Sequence, residues 1–218
     1  MGINPIYLAI MALAVGSFAF GMIFNLRRGD TYLRWMQGGM PKVAERTTLR
    51  WLGSTVAELT LIKTRKPFRQ LAILLVFEPR DLFPMWGWLY LLGRRDTLIL
   101  RGQLQSPVRF DLELADPRFW TGRQVIRDLT RRGWERREYN GLTLLAPKGL
   151  LDLAQQEVER LSAPCTALAS RYGRFGLRRQ NSQFEFHLPL PDRQSDAAQF
   201  FEAFKSLGNA ALGETDER

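Results

Sequence analysis

The chain has 218 residues, 31 Lys and Arg against 22 Asp and Glu, a formal net charge of +9 and one His. A single Cys, Cys165, excludes an intramolecular disulfide and any CxxC zinc or redox motif, and a single His excludes an all-His metal site within one chain. Of the basic residues 26 are Arg and 5 are Lys, a bias that suits bidentate contacts to phosphate or carboxylate and that a GC-rich genome also produces without any function.

Residues 3–26 carry no charge, and Arg27 and Arg28 follow at once. Helical at about 1.5 Å per residue, such a run crosses a hydrocarbon core of about 30 Å. A buried core helix would show more polar face than Asn4, Tyr7 and Ser17 provide. A signal peptide, cleaved near Ala19 or Gly21, would begin with a Lys or Arg that is missing here. The expectation is a retained anchor over residues 1–28. Arg27, Arg28, Arg34, Lys42, Arg46 and Arg50 lie behind it, and cationic flanks stay on the cytoplasmic side. This predicts an integral, single-pass protein, N-terminus outside or luminal and C-terminal domain cytoplasmic. A lone Cys agrees with a reducing compartment. Gly16 and Gly21, with Ala12 and Ala19, leave small-residue faces for packing against another membrane helix.

Residues 29–47 read as a juxtamembrane connector, with Gly38, Gly39 and Pro41 breaking any helix. Arg27, Arg28, Arg34 and Trp35 are its expected membrane-surface residues, the arginines for anionic lipid and the indole for the headgroup level. A cytosolic α+β domain follows over 48–208, and an acidic flexible tail over 209–218.

Within the domain, strands are expected over 57–64 and 68–77, joined by the basic turn Arg65-Lys66-Pro67, and over 97–104. Between them the apolar stretch 83–92 is capped by Asp81 and closed by Gly93, Arg94 and Arg95. It is too short to span a bilayer. Such runs are most often core, yet Trp86, Trp88 and Tyr90 between charged ends also suit a surface that dips into the interface or receives a partner's transmembrane helix. These three are the expected partner-helix contacts.

Val108, Phe110, Leu112 and Leu114 alternate with Arg109, Asp111 and Glu113, a half-buried strand pattern. Asp116-Pro117 opens a helix that buries Phe119, Val125, Ile126 and Leu129 and ends at Gly133. Segments 134–139 and 142–146 flank Asn140-Gly141, a strong hairpin signal. An amphipathic helix over 149–161 places Leu150, Leu153, Ala154, Val158 and Leu161 on one side and stops at Pro164. Strands over 166–172 and 183–188 flank the loop 173–179. A last helix, capped at Ser195, buries Ala197, Phe200, Phe201, Phe204 and Leu207. Strand, strand, helix, repeated, implies antiparallel sheet with helices on one face.

Chemistry is nearly absent from these motifs. His187 shares a strand face with Glu185 and reads as solvated; Cys165 reads as a small buried residue opening a strand. No serine has a nearby base in a recognisable motif, and Gly173-x-x-Gly176 precedes a strand rather than the helix a phosphate loop requires. No enzyme, cofactor or small-molecule substrate is expected. Arg174, Arg178 and Arg179 beside Tyr172 and Phe175 suit phosphates of RNA or lipid, the alternative being a solvated hairpin tip.

This layout resembles the calumin family, the single-pass subunit of the PAT complex that helps build multipass membrane proteins at the endoplasmic reticulum. The resemblance rests on the exit Asn25-Leu26-Arg27-Arg28 with Trp35-Met36 beyond it, on Arg80-Asp81-Leu82-Phe83 after a strand pair, and on the strand opening Asp96-Thr97-Leu98-Ile99. It extends to a helix of the Leu-x-x-Leu-Gln type that ends before a Cys, within Leu150 to Cys165, and to the last strand and helix over 183–207. The family's acidic luminal segment and basic C-terminal coiled coil have no counterpart here, so calcium binding and a ribosome clamp of that kind are not implied. The resemblance implies a cytosolic domain beside the bilayer that escorts or scaffolds other integral membrane proteins, with ribosome or anionic lipid as further partners. The rival expectation is an accessory structural subunit of a larger membrane complex.

Overall fold

In the structure, a computed structural model describing residues 4–213, the uncharged run becomes the outer part of one long helix. α1 (Pro5–Gln37) has 33 residues and no break at the arginines. Asn4 caps it by accepting from the Ile6 N–H at 3.0 Å, and Pro5 takes the first turn, where a missing N–H costs nothing. Gly38 and Gly39 end it. The expected anchor and the first part of the expected connector are therefore a single rod. Through Phe20 its side chains are exposed or half-buried. Beyond that it buries Gly21, Asn25, Gly29, Tyr32, Leu33 and Met36, a spacing of three and four that lies on one face.

A short 3-10 turn (Met40–Lys42) leads into the strands β1 (Ala44–Trp51), β2 (Val56–Thr64), β3 (Phe68–Val76), β4 (Thr97–Leu104), β5 (Leu112–Ala115), β6 (Glu135–Tyr139), β7 (Leu142–Ala146), β8 (Arg174–Arg178) and β9 (Gln183–Pro189). They form one sheet in the order β1-β2-β3-β4-β9-β8-β5-β7-β6, and every neighbouring pair is antiparallel. The helices are α2 (Phe83–Leu91), α3 (Trp120–Arg131), α4 (Leu151–Leu168) and α5 (Ala197–Leu212). The fold is α+β, as expected. Both sheet edges, β1 and β6, are charged strands, which discourages pairing with a further chain.

The main core lies between one sheet face and the inner half of α1, α4 and α5. Phe68 stacks on Phe204 at 4.8 Å and meets Phe184 at 5.5 Å. α3 is the exception to helices on one face: its Val125 and Leu129 pack with Ala115 and Leu145 in a separate cluster, reached by the alternate residues of β5 and β7.

Several local expectations are corrected. Residues 108–111 are not strand, and β5 is buried along its whole length, Glu113 included. Asp116 does not cap α3; its carboxylate accepts from the Arg118 N–H at 2.8 Å, closing a turn before the helix. α4 runs through Pro164 for another turn, burying Cys165 and Leu168, while Leu153 faces solvent. Residues 166–172 are therefore not a strand. β8 occupies most of the expected loop instead, with Phe175 and Leu177 alternating inward against Arg174 and Arg178. α5 is capped by Asp196 rather than Ser195. Residues 209–212 of the expected tail belong to α5, and Glu214, Asp216 and Glu217 lie outside the described residues.

Candidate functional site

The junction between α1 and the sheet concentrates the unusual chemistry. At Gly21 a Cβ would overlap the Arg80 carbonyl, and at Gly29 it would overlap the Trp51 ring, so the helix backbone lies directly on the domain. Asn25, fully buried, donates from Nδ2 to the Glu78 carbonyl at 3.0 Å and accepts from Arg80 Nη1 at 3.0 Å. Arg80 forms a fork on Asp96, 3.0 and 3.1 Å to its two oxygens, and also reaches Glu78 at 3.2 Å. From α1, Arg28 Nε lies 2.7 Å from Asp96 Oδ2. Trp86 of α2 donates to Glu78 Oε2 at 2.5 Å, and the Arg80 guanidinium sits 5.2 Å from the Phe24 ring centre. Two carboxylates, two guanidiniums, one amide and one indole thus tie α1, α2 and the start of β4 together in a nearly dry site. Arg80 is paired and hydrogen-bonded as a buried charge requires, whereas Arg28, 36% exposed, meets Asp96 as an ion pair without a hydrogen bond from its Nε.

Sequence reasoning singled out Arg28 and Trp86 as surface residues, but not the carboxylates Asp96 and Glu78 that they meet. The available signal was a lone Asn late in an apolar run, and charges at 78, 80 and 96 bracketing a short apolar segment.

The expected membrane-surface residues divide. Arg27 is exposed, and Arg34 makes the exposed helical pair with Asp30 at 2.5 Å. Arg28 is spent on Asp96. Trp35 faces the domain, donating to the Ser195 carbonyl at 2.8 Å and meeting the Phe200 edge at 5.4 Å. Gly16 has open space around it, while Gly21 is occupied by the chain's own Arg80 backbone.

α2 is not core: none of its residues is buried. Its N-cap is Leu82, because Asp81 is turned to the Ser54 hydroxyl at 2.5 Å. Trp86 is half-buried by its bond to Glu78, whereas Trp88 is 65% exposed and Leu91 82% exposed. Tyr90 lies under Arg95, 3.7 Å from guanidinium to ring centre.

The third group, Arg174, Arg178 and Arg179, is mostly committed inside the protein. Glu113 is fully buried and receives Arg174 at 2.6 Å and Arg178 at 2.5 Å. Arg178 also donates to the Leu112 carbonyl at 2.9 Å and stacks 5.0 Å over Trp134. Gly176 makes room for this carboxylate, since a Cβ there would overlap it. Only Arg179 of the three is exposed. Beside them the uncovered face of β2, β3, β4, β9 and β8 forms an open groove of about 700 Å³, with Arg69, Gln70, Arg101 and Gln183 among its walls.

The sequence matches no protein-family model and no curated protein.

His187 and Cys165 complete the inventory of reactive groups. His187 shares a face with Glu185, as expected, but is buried rather than solvated, with its ring 2.8 Å from Glu185 Oε1. Cys165 is buried inside α4 rather than opening a strand, and burial pushes its thiol up to about 12, a packing environment rather than that of a nucleophile.

Proposed function

We propose that this chain is a single-pass membrane protein, N-terminus outside and domain cytoplasmic, whose non-enzymatic domain scaffolds the assembly of other membrane proteins. The observation that carries the reading is the fused junction: α1 is long and apolar enough to cross a membrane, with a mean hydropathy of 2.2 and 6% of that window buried, yet its inner half belongs to the domain core. A flexible tether would let the domain tumble. A rod locked by Asn25, Arg28, Arg80 and Asp96 holds the sheet in one orientation to the bilayer, which suits a platform for other helices. Cleavage near Gly21 would cut a continuous helix at the point where it docks, which favours a retained anchor. The cationic flank behind residue 26 gives the direction. The resemblance of the sequence to the calumin family points the same way.

The rival role, an accessory subunit, draws on one observation: Gly16 stands on an uncovered helix face with nothing within 4 Å, room for a partner helix. Mild-detergent capture of the full-length chain, followed by mass spectrometry and RNA quantification, tests both. Insertion machinery or newly made multipass proteins in the eluate supports the scaffold. A fixed stoichiometric set of membrane subunits, lost on Gly16→Leu, would replace it with the subunit reading. Gly21→Leu is no test of partner packing, because it disrupts the chain's own junction.

A further inference from the structure

The exposed helix α2 presents Phe83, Met85, Trp88, Tyr90 and Leu91 to the surroundings, each at least 43% exposed, and its caps Leu82 and Leu92 are exposed as well. A contiguous apolar patch of this kind marks a surface that is covered in use. Its position supplies the cover. α2 springs from Arg80 and Asp81, whose backbone touches α1 at Gly21. Gly21 precedes Arg27 by six residues, about 9 Å along a helix. The root of α2 therefore lies on the apolar side of the first charge, within the depth of about 5–10 Å at which interfacial helices bury their apolar face.

The far end of α2 is ringed by cations. Arg95 donates to the Tyr90 carbonyl at 2.8 Å and lies over the Tyr90 ring. Arg94 stacks 4.9 Å over Trp120, and Arg123 donates to the Leu92 carbonyl at 2.8 Å. Those partners are carbonyls and rings, which bring no counter-charge to the three guanidiniums. The nearby carboxylates are turned inward: Glu78 and Asp96 to Arg80, Asp81 to Ser54. An apolar helix with a cationic end is complementary to the acyl–headgroup boundary of an anionic leaflet.

We infer that α2 is a second membrane-contacting element, a monotopic helix whose apolar side chains enter the bilayer beside α1 while Arg94, Arg95 and Arg123 meet anionic headgroups. This rests on α1 crossing the bilayer. With α1 it gives the domain two points of attachment, and so fixes its tilt.

Nitroxide accessibility in the full-length chain tests it. With Cys165→Ala as background, a single label is placed at Leu91→Cys, at Val15→Cys within the span or at Arg136→Cys on β6, and each protein is reconstituted into vesicles of phosphatidylcholine with or without phosphatidylglycerol. The expected result is loss of water-soluble nickel-chelate accessibility at both Leu91 and Val15 relative to Arg136, with protection at Leu91 deepening in the anionic vesicles. Arg94→Gln with Arg95→Gln removes that deepening. Nickel access at Leu91 with Val15 protected would overturn the inference and leave the anchor standing, as for a surface reserved for a partner protein that these vesicles lack. Nickel access at Val15 would overturn the anchor itself. Protection at Leu91 that ignores both lipid charge and the two substitutions would overturn the role of the arginines.

Discussion

At Glu185 three neighbours decide the charge state. Burial pushes the carboxyl up, but the hydrogen bond with His187 and the nearby Arg174 and Arg101 guanidiniums more than reverse this, leaving it at about 2 against an ordinary 4.5. The folded chain therefore binds this proton less readily than the unfolded chain. The resulting stabilisation is present above pH 4.5 and is lost as pH falls from there to about 2. The side chain is 38% exposed, so solvent screening keeps the effect below that of a fully buried pair. Thermal melting of the detergent-solubilised protein should show a steeper loss of stability across that window in wild type than in Glu185→Gln; equal slopes would contradict the assignment. The period-two pattern of β9 did place His187 beside Glu185. It said nothing of depth, because burial comes from Ile99 and Arg174 across the sheet, far away in sequence.

Between elements, the junction of α1, α2 and β4 has the clearest energetic consequence. Asp96 holds both Arg80 and Arg28; removing its charge leaves the largely buried Arg80 with Glu78 alone as carboxylate partner and leaves the partly exposed Arg28 with none. Breaking a buried pair of this kind costs roughly 3–5 kcal/mol. Because Arg80 keeps Glu78 and Arg28 is partly solvated, the cost here is about 2 kcal/mol, and in a chain of this size Asp96→Asn should lower the melting midpoint by about 4–8 °C. Glu45→Gln, which breaks only the exposed pair with Lys63 at 3.6 Å, should cost less than about 1 kcal/mol. Equal shifts for the two variants would mean that the junction is not the lock described. Elements were legible where a local signal suffices: β2, β3 and β4 by composition, the β6–β7 hairpin by Asn140-Gly141, which takes positive φ at both residues, and the body of α5, though neither of its ends, by its spaced phenylalanines. β8 was not legible. Its Gly and Arg content reads locally as a turn, and the carboxylate that makes it a strand comes from Glu113, 61 residues away. Pro164 misled for the same reason. A proline inside a helix costs about 3 kcal/mol, and the packing of Cys165 and Leu168 into the core, invisible to local pattern, offsets it.

Across the whole molecule, one rod joins an exposed apolar surface to a folded core. Its outer half is a bare apolar cylinder and its inner half a core helix, so any tilt of the outer half is passed to the nine-stranded sheet without a hinge. The uncharged run announced the outer half. The inner half was hidden, because Asn25, Gly29 and Tyr32 read as an exit from the membrane and become contacts only once the sheet is folded against them. The central claim is this rigidity. It is tested most directly by pulsed electron–electron distance measurement between nitroxides at Met11→Cys on the outer helix and Arg136→Cys on β6, in the Cys165→Ala chain reconstituted in nanodiscs. A single narrow distance distribution that broadens on Asp96→Asn is the predicted result, and a distribution already broad in the unsubstituted junction would contradict it.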